Sequence, residues 1–523
     1  MGDGLIWVSQ PAHTVPSATE ISRGCFVLQR PRRILRTFVF SWTACAPKQK
    51  RSVLVSSEPT PSPPGTVDTF ARALRDRTTT SEALCRAALD RITAYDKGVH
   101  AFVMVAEEEA LTAARQADEE LEAGTDRGPF HGVPYALKDI YDAEGWPTTC
   151  QSRLRLDHVA ARDSAVAERF RAAGAILLGK LDTFEFALGG PSSDLHRPVA
   201  VNPWNTTRVA GGSSSGSGAA IAAGYVPMAP GTCTTGSIRG PSAWCGAVGL
   251  KPTFGRVSRR GVFPLAPSLD HCGPIARSVR DAAYGLQIMA GYDPEDPSCV
   301  DCDVPNYSAS LELGVEGLRI GVPRAFFARD PNLSDEMRAT LERVEAMLVD
   351  AGAETFDVVM PNYSLFLACG RALMTAEAFA IHRHNLRTRF SDYGAVAARR
   401  FAIGAAVSAA DYVDTLLVKR SLTEAVSATF TQCDLLLTAI SLRTAPPFDD
   451  TGAPIPFPLQ ASPFNLTGHP AISVPAGLSD EGLPLAVQFV GSAFDEATVL
   501  RAARFVERAT GWLDVPLPTL ASA

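Results

Sequence analysis

Five short apolar runs constrain this chain more than any other feature: "GAILLGK" (174–180), "GLRIGVP" (317–323), "CDLLLTA" (433–439), "AISVPAG" (471–477) and "LAVQFVG" (485–491). Each is too short for a buried helix and too continuously apolar for a strand with one wet face. Each therefore reads as a strand covered on both sides. Segments of helical period separate them, such as 332–352 and 495–510. Strands alternating with helices on this scale imply an α/β fold, one large sheet with helices on both faces. A hydrophobic share of 46% can fill its core. No internal repeat and no second linker interrupt the pattern, so a single domain is expected over 66–515, with a short tail at 516–523.

Before that domain the pattern is different. "RPRRILRTFVFSWTACA" (30–46) has a basic start and a brief apolar patch cut by Arg36. A signal peptide from an internal start is one reading, and a non-native or disordered extension is the favoured one. "SSEPTPSPPG" (56–65) is a Pro/Ser linker. Residues 1–65 form this extension and linker, and deleting the chain before about residue 60 is expected to leave folding and activity intact. Within the domain, Thr79–Glu82 fits a capping box, and "AEEEALTAARQADEELEAG" (106–124) reads as a surface helix ending at Gly124.

A net charge of −7 and 20% charged residues argue against a nucleic-acid or membrane-surface partner. The eleven cysteines are scattered rather than framed, which points to a reducing compartment, the cytoplasm. Cys299 and Cys302 form a C-x-x-C with no second pair at zinc-ribbon spacing. They read as part of a loop, and neither a metal nor a cofactor is expected.

From Val209 to Ile238 thirty consecutive residues carry no charge: "VAGGSSSGSGAAIAAGYVPMAPGTCTTGSI". Pro227, Pro230 and the Ser/Thr run make it a poor membrane helix. A phosphate loop fails because no Gly-Lys-Ser/Thr follows the glycines. Gly212–Gly216 matches G-x-S-x-G with Ser214 at its centre, but that elbow needs a strand before it, and "NPWNTTRVA" is turn-rich. A flexible linker does not fit the "AAIAAG" that follows.

The full constellation is more specific. "GVPYALKDI" (132–140), "NPWN" (202–205), "GGSSSGSGAA" (211–220), "GTCTTGSIRGPSAWCGAVGLKPTFGRVSRRG" (231–261) and "PFNLTGHPAISVPAG" (463–477) closely resemble the amidase signature family, over about 68–512. The resemblance implies a single large mixed, twisted sheet covered by helices on both faces. It also implies a Lys–Ser–Ser triad, here Lys138 as base, Ser213 held by a cis peptide after Gly212, and Ser237 as nucleophile. Backbone N–H groups of Thr234, Thr235 and Gly236 would form the oxyanion hole. The substrate would be a small-molecule amide, or an ester or carbamate. Segments 184–196 and 363–465 would build its pocket, and a homodimer is compatible with the family.

The chemistry demands such residues in any case. An amide carbonyl is a poor electrophile, so the serine needs a base and the oxyanion needs donors. Lys138 serves only when neutral. Lowering its pKa from about 10.4 to 7–8 takes about 4 kcal/mol of burial away from charge. An uncharged tract supplies that setting. Taken singly, Lys138 could instead pair with Asp139, Ser213 and Ser237 could cap helices, and Arg239 is expected to pin its loop through ion pairs.

The sequence departs from the family at "GTCTTGS", where the usual loop reads G-T-D-x-G-G-S. Cys233 replaces the acid and Thr235 a glycine. Cys233 as an alternative nucleophile is misplaced by four residues. Two other functions stay open. "GRVSRRGVFPLAPSLDHCGPIARSVRDAA" (255–283) and "ARRFAIGAAVSAADY" (398–412) resemble the family's member within glutamyl-tRNA(Gln) amidotransferase, one subunit of that enzyme. That member uses an acidic residue seven positions before its N-L-x-G motif, where this chain has Pro458. The apolar "PIPFPLQASPF" (454–464) suggests a less polar pocket. The altered 233–235 loop also permits a catalytically silent binding homologue.

Overall fold

Strand Pro484–Gly491 is buried along its whole length, which is why its sequence is apolar without alternation. It is antiparallel to Ala471–Leu478 on one side and to Leu435–Ala439 on the other, with Gln488 opposite both Ser473 and Thr438. The sheet continues outward through Val248–Lys251 to Ile275–Ala276 at one edge. At the other edge it runs through Arg319–Val322 to Glu354–Asp357. The last two strands are parallel to their inner neighbours, so the seven-stranded sheet is mixed, as expected. Even and odd residues of Pro484–Gly491 face opposite layers. Gln488 accepts from Arg239 of helix Arg239–Cys245, whereas a Cβ at Gly491 would meet Val499 of helix Glu496–Ala509. Helices therefore cover both faces.

The computed structural model describes residues 65–448 and 457–521. The expected extension lies outside them except for Gly65, as do the first residues of the 454–464 run. The helices expected at 332–352, 495–510 and 106–124 are Asp335–Asp350, Glu496–Ala509 and Glu107–Glu122, the last followed by Gly124 at φ +86°. The expected box at Thr79–Glu82 is displaced by one residue. Thr80 is the cap, its hydroxyl taking the Ala83 N–H at 3.1 Å. Glu82 points away to Arg86 and Arg115.

One apolar run leaves the large sheet. Ile176–Leu181 lies in a separate three-stranded sheet, between Phe102–Val105 and Pro134–Lys138. Helices Ser81–Val99, Glu107–Glu122 and Ser215–Ala222 pack on that sheet, so its strands are apolar for the same reason. It delivers Lys138 at the end of its last-named strand. Gly231–Cys233 pairs with His271–Gly273 as a two-stranded ribbon beside it.

Helix Tyr363–Thr388 is long and apolar enough, by length and composition, to cross a membrane. Here it packs on helices Ala395–Ile403, Ala409–Thr429 and Ser462–Leu466, burying Phe366, Cys369, Leu373 and Ala378. Among the described residues nine cysteines are free. Cys299 and Cys302 are engaged separately, by the Gly291 carbonyl and by Arg256.

Candidate active site

Every residue of strand Pro134–Lys138 is buried, so the Lys138 ammonium has left water. Its Nζ lies 2.9 Å from Ser213 Oγ, 3.1 Å from Ser214 Oγ and 2.8 Å from Thr232 Oγ1. Three hydroxyls suit a neutral amine, which can donate two protons and accept one. Burial lowers its pKa from 10.5 to about 7, against the weaker upward pull of Cys233, Asp270, Cys272 and Asp182.

Asp139 is not its partner. That carboxylate turns to Lys180 at 3.0 Å and to the backbone N–H of Thr149 at 3.1 Å. Lys180 also donates to the Pro147 carbonyl and Thr148. Removing one member of a buried pair strands the other charge. Lys180→Met is therefore expected to destabilise the fold by about 3–5 kcal/mol. Lys138→Met leaves only hydroxyls behind and should cost about 1–3 kcal/mol. Thermal denaturation of the two variants checks the difference, and equal losses would return Lys138 to a structural role.

The Gly212–Ser213 peptide is cis. The Ser213 carbonyl accepts from Phe184 N–H at 3.1 Å, and the loop is clamped by Asp182. One carboxylate oxygen of Asp182 accepts from Ser215 Oγ (2.7 Å) and Ala200 N–H (3.0 Å), the other from Gln151 Nε2 (2.6 Å). Burial pushes the Asp182 carboxyl up to about 7 although these donors favour its anion. Sequence reasoning missed this residue, whose one signal was an acid placed directly after an apolar strand, in "GKLD".

Neither serine is a helix cap. Helix Ser215–Ala222 begins after Ser214 and helix Arg239–Cys245 after Ile238, both without a side-chain cap bond. The Ser213 and Ser237 loops are joined by Ser214 N–H donating to the Ser237 carbonyl at 3.3 Å. Among the described residues no hydrogen bond joins the two hydroxyls, and Ser237 keeps 8% exposure.

In the loop before Ser237 the glycine-only conformation falls on Gly236, at φ +138°. Thr235 is not among the non-glycine residues at positive φ, so its β-carbon is tolerated. Thr234 Oγ1 donates to Asp270 Oδ1 at 2.6 Å, and Asp270 accepts the N–H groups of Leu265 and Ala266. Cys233 is wholly buried. Its carbonyl accepts from Asn465 Nδ2 at 2.7 Å, and its Sγ lies 3.9 Å from Arg239 Nη2. The expected ion pairs of Arg239 are absent among the described residues. Its buried guanidinium donates instead to Gln488, Asn465 and the Ala461 carbonyl. With the acid replaced by Cys233, neutral acceptors hold the loop. His271 is buried, its Nδ1 2.7 Å from the Leu269 carbonyl, and burial keeps it neutral. A cavity of about 210 Å³ opens beside this loop, lined by Thr232, Thr234, Phe263 and the charged Arg259, Asp270 and Asp296, but not by Ser213 or Ser237.

The model of the Amidase family matches residues 83–500. The chain belongs to the amidase signature family. It is similar to a glutamyl-tRNA(Gln) amidotransferase subunit of Trichlorobacter lovleyi, 38% identical over 477 residues that cover 86% of this chain and 97% of that relative. The peptide amidase of Stenotrophomonas maltophilia superposes with a TM-score of 0.78 at 30% identity, over 87% of this chain and 99% of that one. A chain from a vestigial protein complex, one that reveals the origins of an s-triazine catabolic enzyme, superposes with a TM-score of 0.81. It is 33% identical, over 87% of this chain and all of that one. The fold agrees in both superpositions, so the amidase signature fold holds for this chain.

Proposed function

We propose that the chain hydrolyses an amide bond of a small molecule through an acyl-enzyme on Ser237, with residues 66–515 as the catalytic unit. One observation carries this reading: Lys138 is desolvated, ringed by hydroxyls and poised near pH 7, 2.9 Å from Ser213. Neutral Lys138 takes the Ser213 proton, Ser213 takes that of Ser237, and Ser237 Oγ attacks the carbonyl carbon. The oxyanion forms against N–H groups of Thr234, Thr235 and Gly236. Ser213 then protonates the departing nitrogen and regains a proton from the Lys138 ammonium, which returns to the neutral base, and water, activated by the same relay, releases the acid. An ester or carbamate presents the same carbonyl. Nine free cysteines among the described residues suit the cytoplasm.

The curated relatives favour a second reading, in which the same acyl-enzyme forms from glutamine within a glutamyl-tRNA(Gln) amidotransferase. Against it stands Pro458, seven positions before Asn465, where the amidotransferase member carries an acid. The purified chain alone is expected to turn over a simple aryl amide and to show no stimulation by partner proteins. Glutamine hydrolysis that appears only with such partners would establish the second reading instead.

A further inference from the structure

Both reactive loops rest on one uncharged wall. A Cβ at Gly212, the residue before Ser213, would overlap the Phe184 ring. At Gly236, the residue before Ser237, a Cβ would stand 2.7 Å from Ala461 Cβ and 3.9 Å from Leu459 Cδ1. At Gly240 it would stand 2.7 Å from the same Leu459 carbon. Phe457 bridges the two halves, its ring 6.2 Å from that of Phe184 and 5.2 Å from that of Trp244. The segment is fixed by its backbone, since Tyr363 Oη donates to the Leu459 carbonyl at 3.0 Å. Phe457 and Leu459 keep partial exposure.

The amide nitrogen of Gln460 donates to the Phe326 carbonyl, and the terminal nitrogens of Arg239 donate to Gln488, Asn465 and Ala461, while Gln460 Oε1 and Arg239 Nε are buried without a partner among the described residues. Among the described residues no ion pair involves any residue of this wall. Such a surface penalises an unpaired ammonium or carboxylate laid on it. It rewards each buried methylene by about three- to fourfold in affinity.

We infer that Phe184, Phe457 and Leu459 set the specificity, and that the group beside the scissile carbonyl is neutral and apolar, an aryl or branched alkyl group rather than an amino acid such as glutamine. This inference rests on the amidohydrolase reading, and the test keeps the two apart. Labelling of the full chain by a fluorophosphonate, lost in Ser237→Ala, reports the nucleophile whatever the pocket prefers. If the chain is not labelled, the hydrolase reading fails, and the inference with it.

With labelling established, kcat/KM is measured for anilides of acetic, butyric, hexanoic and phenylacetic acids, for hexanoyl amides of alkyl amines, and for glutamine. In at least one of the two series kcat/KM is expected to rise about threefold or more per methylene. Free glutamine should be at least about a hundredfold poorer than the best apolar substrate. Leu459→Asp is expected to lower the apolar rates at least about tenfold through KM while phosphonate labelling persists. Phe457→Ala, a milder change, should flatten the dependence on chain length. Flat series in both directions, or a wild-type preference for glutamine, would overturn the inference.

Discussion

Ser237→Ala is expected to abolish amide turnover, lowering kcat by at least about 10⁴-fold, because no other nucleophile stands at that point of the loop. Cys233, the nearest thiol, is wholly buried against Arg239 and Asn465 and cannot reach a substrate. Folding should survive. The backbone around residue 237 is held by groups the substitution does not touch: Ser214 N–H on its carbonyl, Arg239 on Gln488 and Asn465, and Asn465 on the Cys233 carbonyl. The deleted hydroxyl has no protein partner among the described residues, so no buried group loses its hydrogen bond. The melting temperature is expected to move by less than about 3 °C, as for a change worth under 1 kcal/mol in a chain of this size. Measured together, the two readouts separate chemistry from stability. A folded Ser237→Ala protein with near-wild-type turnover would remove Ser237 from the mechanism.

Lys138, Ser213 and Ser237 were each singled out from a long motif, and the fold brings Lys138 Nζ to 2.9 Å from Ser213 Oγ although 75 residues separate them. Their immediate surroundings were less legible. Ser214 and Thr232 stand 76 and 94 residues from Lys138, and only the folded loops make them its neighbours. Local apolarity announced Ile176–Leu181 as a buried strand but carried no information about which sheet it joins, since both sheets are covered on both sides. Arg239 shows a different limit. A buried guanidinium suggests a carboxylate, and the sequence had already lost the acid at position 233. Its replacements are neutral oxygens of Ala461, Asn465 and Gln488, more than 220 residues away. Thr235 was an open question until the backbone placed the positive φ on Gly236 instead.

Lys138→Arg should cost at least about a hundredfold in amide hydrolysis, the low end of what loss of a general base removes. Arginine keeps the positive charge and roughly the reach, but it cannot become neutral at any working pH. A lysine that merely filled space or held an ion pair would be replaced in part, and Asp139, bound to Lys180, offers no such pair. The pH dependence follows from the same burial. The base works in its neutral form, whose fraction rises with pH through about 7, so amide kcat/KM should climb about tenfold per unit below that value and level off above it. Were the protonated form required, the slope would be reversed. An ester with a good leaving group needs no proton from Ser213 on departure, so Lys138→Arg should damage its cleavage less than that of the matched amide. Both substrates are therefore to be followed on the same preparation, with circular dichroism to confirm the fold. Unchanged amide turnover in the arginine variant, or wild-type activity that falls as pH rises through 7, would end the Lys138–Ser213–Ser237 relay as an account of this protein.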